Sequence, residues 1–421
     1  NEESRSFLLQ NFTEDDASAA EGHHFLEVTE ESSPKRKPAS PGFTFDAQSS
    51  EKLSLPEVQR ALAGAGNFDF DALAFVDVPE VMGEHIVTLG AHLIQTRDLV
   101  LELKNQGWLP DSDLFHRRVL NFLGKVDSLY SPDVPYHTSS HAADVMGTMS
   151  WFMELPFFQD HTGKLEHLMG LLAGAIHDVG HPGRNNLFQS KTMAPLALRY
   201  NDKSILENMH VALAFETMRA REEYNWFSLL PTDAKSAAQQ NVSGVNLQQY
   251  VRRGLIDMVL ATDMAKHAEQ ISRLQEFAKS LMERPESPSR RYKMEALELK
   301  LFLLGTVLHA ADISNPCKPR PIMLRWTHRV LQEFWQQGDT EQLLGVPISP
   351  LCDRAGCSAV PQGQLGFINF VVAPMYALLA ELDPGVSQAC DQLQANKAFW
   401  QEKEQEKDTF DQIFASCDKS A

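Results

Sequence analysis

The chain is poor in cysteine, in positive charge and in long apolar runs. Its five cysteines, Cys317, Cys352, Cys357, Cys390 and Cys417, are scattered and odd in number, with no Cys-x-x-Cys pair. That argues against a disulfide framework and a zinc–thiolate site, and reads as reduced, cytoplasmic thiols. Lys and Arg number 38 against 56 Asp and Glu, a formal charge of −18. Such a surface argues against a nucleic-acid or anionic-membrane partner, so an anionic substrate would need a local positive charge. No apolar run approaches membrane-spanning length, so no transmembrane segment is expected, and no signal-peptide pattern opens the chain. Alternating strand patterns, Asn-Gly hairpins and solenoid repeats are also missing.

What is present is helical periodicity. Residues 1–67 read as a low-complexity, largely disordered leader with Glu/Asp/Ser clusters, the basic triplet Lys35-Arg36-Lys37, and Ser33-Pro34 and Ser40-Pro41 as candidate phosphorylation sites. From Phe68, apolar residues recur at three- and four-residue spacing over Pro79–Lys104, Leu114–Leu129, Ala142–Phe152, Lys164–His177 and Leu206–Arg221. The same pattern covers Asn246–Met282, Met294–Ala311, Met323–Gln337 and Phe367–Glu381. The expected fold is all-α, a compact multi-helix domain over 68–415 with a tail at 416–421. The stretch 338–363, with Gly, Pro and two Cys, is expected to be a site-covering loop.

The chemistry gathers in His177-Asp178-Val179-Gly180-His181, in the upstream pair His137 and His141, and in Asp312, a carboxylate closing an apolar run. A lone buried His is more often a core residue, and an Asp after a helix is more often a cap. The conjunction shifts the balance. Two i,i+4 His pairs, a His-Asp dipeptide and a distant carboxylate at a helix end make a nitrogen–oxygen set for a divalent metal. Burying Asp312 without a cation would be costly. Metal-assisted hydrolysis follows as the expected chemistry.

The stretch from His177 to Phe188 resembles the signature of the class I 3′,5′-cyclic nucleotide phosphodiesterases, members of the HD-type metal-dependent phosphohydrolases. The likeness continues, in family order, through Tyr136–Val145, Ser204–His210, Ala261–His267, Leu308–Pro316, Ile348–Arg354 and Gln364–Ile368. Departures are Thr138 where the family usually has Asn, Met209 in place of a His, and Gly180 where many relatives are acidic.

The resemblance implies an HD-like all-α catalytic domain that hydrolyses the 3′ phosphoester bond of cAMP or cGMP. It implies a metal-bridging hydroxide as nucleophile and His137 as general acid, oriented by Glu341. By the same resemblance, His141, His177, Asp178 and Asp312 hold a first metal, Zn²⁺, and Asp178 bridges to a second, Mg²⁺ or Mn²⁺. Glu207, His181, His210 and Asp263 form the outer shell that orients the metal waters. For the base, Gln364 bonds the purine edge, Phe367 stacks on it, Val330 closes the opposite face and Asn315 reaches the adenine side. Tyr136, Met264, Met323, Trp326 and Thr327 line the cavity. Asn315 tilts the choice toward cAMP, and a homodimer is compatible with the reading. Two other functions compete: an HD-type hydrolase of another nucleotide, and a cyclic-nucleotide sensor without turnover. The base-clamp residues weigh against the first and the intact acid and ligands against the second.

Overall fold

The computed structural model describes residues 43–232, 246–282 and 296–415, and among these there is no β-strand. The leader through residue 42, with its basic triplet and Ser-Pro pairs, and the tail 416–421 lie outside them. The principal helices are α1 (Ala47–Lys52), α2 (Pro56–Leu62), α3 (His85–Thr96), α4 (Ser112–Asp127), α5 (Ser139–Met153), α6 (Lys164–Ile176) and α7 (Ile205–Ala220). They continue with α8 (Leu247–Leu260), α9 (His267–Met282), α10 (Ala296–Asp312), α11 (Arg320–Leu344), α12 (Val360–Phe367), α13 (Ala373–Leu382) and α14 (Ser387–Glu406).

The middle of the molecule is the pair α5 and α6, packed along one another, with α8 and α10 against their flanks and α3 and α4 on another side. Both central helices are buried almost all round. This is why neither shows a one-sided apolar stripe: α6 is apolar throughout from Leu168 to Ile176, and α5 buries Ser140, Asp144, Thr148 and Ser150 among its apolar residues. Three of the four proposed metal ligands therefore sit on or just after the most buried helices.

Several boundaries differ from the sequence reading. Folded structure extends to residue 43 rather than starting at 68. Val58 and Leu62 of α2 are fully buried, and the backbone N–H groups of Phe43 and Phe45 donate to Tyr224 Oη (2.9 Å) and Asn121 Oδ1 (2.6 Å). The segment expected as one helix over 246–282 is split at Ala261–Lys266, where Asp263 caps a 3₁₀ turn. The irregular stretch expected from Gly338 begins only at Gly345, because α11 runs on to Leu344. Gly338 is there for close approach, since a Cβ on it would overlap the Cys352 carbonyl. Helix α14 was not anticipated. Its polar sequence buries only Ala389, Leu393, Asn396 and Trp400, a stripe at four-, three- and four-residue spacing.

Helices α12 and α13 join through a π-helical turn, Ile368–Val372. The joined run, Val360–Leu382, is long and apolar enough to cross a membrane, contrary to the sequence reading. Here Ile368, Val371, Val372, Met375, Tyr376 and Leu379 point into the core at 0% exposure, and core helices of folded domains share this composition.

Two buried histidines away from the site set an acid limit. Burial, with minor repulsion from Lys164 and Arg97, lowers His167 to about 3, and burial beside His309 lowers His267 to about 3. Their folded values lie below the ordinary 6.5, so the unfolded chain binds the extra protons as pH falls below 6.5. Each histidine then removes stability, at up to about 1.4 kcal/mol per pH unit, until its own folded value is reached. We expect the melting temperature to drop between pH 7 and pH 5, with a shallower drop in His167→Gln. Equal slopes in wild type and variant would refute the assignment to His167.

Candidate active site

His141 stands in the first turn of α5, His177 caps the C-terminus of α6, Asp178 follows it, and Asp312 is the last residue of α10. Helix ends suit this task because their unpaired backbone groups already face a polar cavity. His141 Nε2 lies 2.9 Å from Asp312 Oδ1 and 3.6 Å from Asp178 Oδ2. His177 Nε2 lies 3.0 Å from Asp178 Oδ2, 3.5 Å from Asp312 Oδ1 and 3.3 Å from His141 Nε2. One donor atom from each of the four residues falls within 4.8 Å of all the others. The four residues that the resemblance assigned to a first metal are thus brought together.

The chemistry of this donor set fits a divalent cation. His177 Nδ1 donates to the Gly174 carbonyl at 2.8 Å, which turns the Nε2 lone pair toward two carboxylates. Burial disfavours a charge on His177, but Asp178 and Asp312 outweigh it and push its pKa well above the ordinary value. Burial likewise raises both aspartates, yet the facing histidines pull them below the usual carboxylate range. Among the described residues, neither Asp178 nor Asp312 pairs with a Lys or Arg. Two carboxylates and two imidazole nitrogens with no fixed positive partner make a cation site.

A second group of acids lies beside the first. Glu207 is raised to about 8 by burial and by the neighbouring Asp263, while Asn186 Nδ2 donates to both its oxygens at 3.2 and 3.0 Å. Asp263 accepts from Ser204 Oγ at 2.7 Å and from the Ala265 N–H at 3.0 Å. His210 Nδ1 donates to the Val179 carbonyl, so its Nε2 faces Asp178 Oδ1 at 3.6 Å as an acceptor. These groups offer acceptors for the waters of a weakly dehydrated ion rather than direct ligands.

The turn between His177 and His181 needs Gly180, whose φ of +76° is a left-handed conformation that side chains avoid. It returns the chain so that His181 stacks on His137, with ring centroids 3.8 Å apart and planes at 22°. The Gly183 N–H donates to His181 Nδ1 at 3.0 Å, which leaves the His181 proton on Nε2. Burial and the His137 charge hold His181 well below its ordinary value. For His137 burial acts downward, but Glu333 and Asp178 overcome it and raise the pKa to about 9. Stacked rings pushed in opposite directions separate their roles: His137 carries the proton and His181 stays neutral.

Glu333, not Glu341, orients His137. One Glu333 oxygen meets His137 Nδ1, and the other accepts the backbone N–H groups of Tyr136 (2.9 Å) and His137 (3.1 Å). Burial works against the Glu333 charge, but His137 holds its pKa down at about 2. Glu341 is fully buried elsewhere, bonded to the Ser349 N–H at 2.6 Å and Gln337 Nε2 at 3.1 Å, with Lys191 Nζ at 3.4 Å. The two glutamates stand eight residues apart on α11, about 12 Å along the axis, so one cannot substitute for the other. The helical face that carries Trp326 and Val330 passes through Glu333, and that spacing is the signal that finds it.

On the base side, Asn315 Nδ2 donates to Tyr136 Oη at 2.6 Å. The Tyr136 ring meets Trp326 edge-on at 5.6 Å and lies 4.5 Å from the His141 ring. Thr327 Oγ1 sits 3.6 Å from Met323 Sδ, and both are buried on α11. Val330 follows one turn later, and Met264 occupies its 3₁₀ turn, both half-buried. Gln364 and Phe367 stand half-buried on α12, where the Gln364 amide makes no hydrogen bond with another described residue.

Comparisons with known proteins agree with this geometry. The family model for 3′,5′-cyclic nucleotide phosphodiesterases matches residues 136–393. The chain belongs to that family. It is 36% identical over 287 residues to 3′,5′-cyclic-AMP phosphodiesterase 4C of Rattus norvegicus, covering 68% of this chain and 50% of the relative. It is 35% identical over 270 residues to the probable 3′,5′-cyclic-AMP phosphodiesterase pde-4 of Caenorhabditis elegans, covering 64% and 37%. The chain thus spans half or less of the length of these curated relatives. Among solved structures, it resembles the phosphodiesterase domain of Salpingoeca rosetta rhodopsin phosphodiesterase at 27% identity and a TM-score of 0.66, over 83% of this chain and 95% of that one. It also resembles LmjPDEB1 in complex with IBMX, at 27% identity and a TM-score of 0.67, over 83% and 97%.

Proposed function

We propose that this chain hydrolyses the 3′ phosphoester bond of a cyclic nucleotide to the 5′-monophosphate, with cAMP preferred to cGMP. The observation that carries the reading is the His137–Glu333 pair beside the four-donor cluster, with His137 Nε2 3.9 Å from Asp178 Oδ2. His141, His177, Asp178 and Asp312 would hold Zn²⁺, whose borderline softness suits two imidazoles and two carboxylates. Asp178, with the acceptors of Glu207, His210 and Asp263 around it, would serve Mg²⁺ or Mn²⁺. Bound ions supply Lewis acidity at the phosphoryl oxygens and lower the pKa of a water to about 7.

The chain's own residues do the rest. The water, having released one proton to solvent, bonds through its oxygen to phosphorus as the bond from phosphorus to O3′ breaks; His137 passes its Nε2 proton to O3′ and regains one from solvent before the next turnover. Glu333 holds the imidazole by Nδ1 and by two backbone N–H groups, which keeps Nε2 aimed inward. Tyr136 and Asn315 form a polar wall for the base. Preference for cAMP is supported by Asn315 and by the likeness to relatives named as cyclic-AMP phosphodiesterases. A reducing, cytoplasmic setting is supported by Cys317, Cys352, Cys357 and Cys390 being free thiols.

The test is direct. Purified chain with Zn²⁺ and Mg²⁺ is given cAMP, cGMP and dATP separately. We expect 5′-AMP from cAMP, slower turnover of cGMP and no triphosphate hydrolysis. Turnover of dATP alone would instead favour an HD-type hydrolase of another nucleotide. Binding of cAMP without turnover would favour a sensor.

A further inference from the structure

The two sides of the base slot come from separate parts of the chain: Asn315 from the 3₁₀ turn Asn315–Cys317, and Gln364 with Phe367 from α12. Helix α14 touches both, packing along α12 and against the Asn315 turn. Its Asn396 is fully buried, and its Nδ2 donates to the carbonyls of Pro316 and Lys318, each at 2.8 Å. Gln392 Nε2, one turn earlier, donates to Asn396 Oδ1 at 3.1 Å and so fixes which end of the amide faces the turn. From the other side, buried Lys318 is tied by Nζ to Thr148 Oγ1 (2.7 Å), the Phe68 carbonyl (3.0 Å) and Asp144 (3.2 Å). The turn is therefore gripped immediately after Asn315 by two buried side chains.

The grip has a chemical consequence at the slot. Asn315 is more than nine-tenths buried, its Nδ2 is engaged by Tyr136 Oη, and its Oδ1 has no hydrogen-bond partner among the described residues. A buried acceptor held in one orientation favours a ligand group that donates, as the exocyclic amine of adenine does. It disfavours one that only accepts, as the guanine carbonyl does.

We infer that Asn396 is a positioning residue for base recognition. It lies beyond the end of the family match at residue 393 and sets the register of Asn315 against α12. The inference rests on the proposed phosphodiesterase function, and the wild-type arm of its test checks that function separately.

The experiment compares wild type, Asn396→Ala and Gln392→Ala for kcat and KM with cAMP and with cGMP, alongside metal content and melting temperature. If wild type turned over neither nucleotide, the functional reading would fail before the variants were considered. Given wild-type turnover, Asn396→Ala is expected to raise KM for cAMP about tenfold, as fits two lost hydrogen bonds between buried groups. Its kcat should change by less than about threefold, its metal content not at all, and its cAMP-to-cGMP ratio in kcat/KM should fall. Gln392→Ala, which keeps the Asn396 side chain, should shift the same quantities about two- to threefold. A lower melting temperature with unchanged KM and nucleotide ratio would reduce Asn396 to a structural residue and overturn the inference. If Asn396→Ala does not fold, Gln392→Ala decides: an unchanged KM and ratio overturn the inference, and a shifted pair supports it.

Discussion

His137→Ala is expected to lower kcat for cAMP by about 10²- to 10⁴-fold, the range for a lost general acid, and to leave the metal content at the wild-type value. Both halves follow from geometry. His137 Nδ1 is committed to Glu333 and its ring is stacked on His181, so neither nitrogen belongs to the four-donor cluster. The leaving 3′-oxygen must then depart as a poorly stabilised alkoxide. A substrate with an acidic leaving group in place of the 3′-ribose oxygen needs no proton, and should lose far less rate in the variant. Equal losses on both substrates would remove His137 from the acid role. Loss of bound metal would make it a ligand. Glu333→Gln is expected to fall between wild type and His137→Ala. It keeps a partner near Nδ1 but removes the charge that does most to raise the His137 pKa to about 9. Glu341→Gln should act instead on stability, through the Ser349 and Lys191 contacts.

These contrasts show where sequence was a sufficient guide. The cluster of His141, His177, Asp178 and Asp312 was legible because each member is costly to bury alone. Asp312 ends a run from Leu303 to Ala311 that is almost wholly apolar, and a cation offsets the cost of burying a carboxylate there. The central helices were legible from apolar residues recurring at three- and four-residue spacing. Glu333 is absent from the sequence reading because the resemblance gives the orienting role to Glu341, with no weight on helical phase. The phase from Trp326 through Val330 to Glu333 was available. Helix α14 was missed because four buried residues in twenty give little apolar signal. One of those four, Asn396, is polar and buried for its hydrogen bonds. Lys318 was passed over for a related reason: nothing local in sequence shows that Asp144, far upstream, meets it inside the core.

Asp312→Ala is expected to abolish tight metal binding, and with it nearly all turnover. Asp312 Oδ1 is the closest oxygen to His141 Nε2, at 2.9 Å, and lies 3.5 Å from His177 Nε2. Without it the cluster keeps two imidazoles and Asp178, which also faces His210 and His137. A ligand that contributes charge as well as geometry should matter more than the 10- to 100-fold in affinity typical of an outer-shell partner. Metal stoichiometry after dialysis reads this directly, without any assay of turnover. Wild type should retain one tightly held ion and the variant close to none. Thermal melting gives an independent measure: at a free Zn²⁺ concentration 100 times its Kd, binding to the native state stabilises wild type by about 2.7 kcal/mol. In Asp312→Ala that increment should disappear at the same concentration. Glu207→Gln separates the two sites, because Glu207 faces Asp263 and Asn186 and is not in the four-donor set. It should keep the dialysis-resistant ion while needing more Mg²⁺ for half-maximal rate. Full metal retention by Asp312→Ala would move the first site away from these four residues, and the hydrolytic reading would then lose its centre.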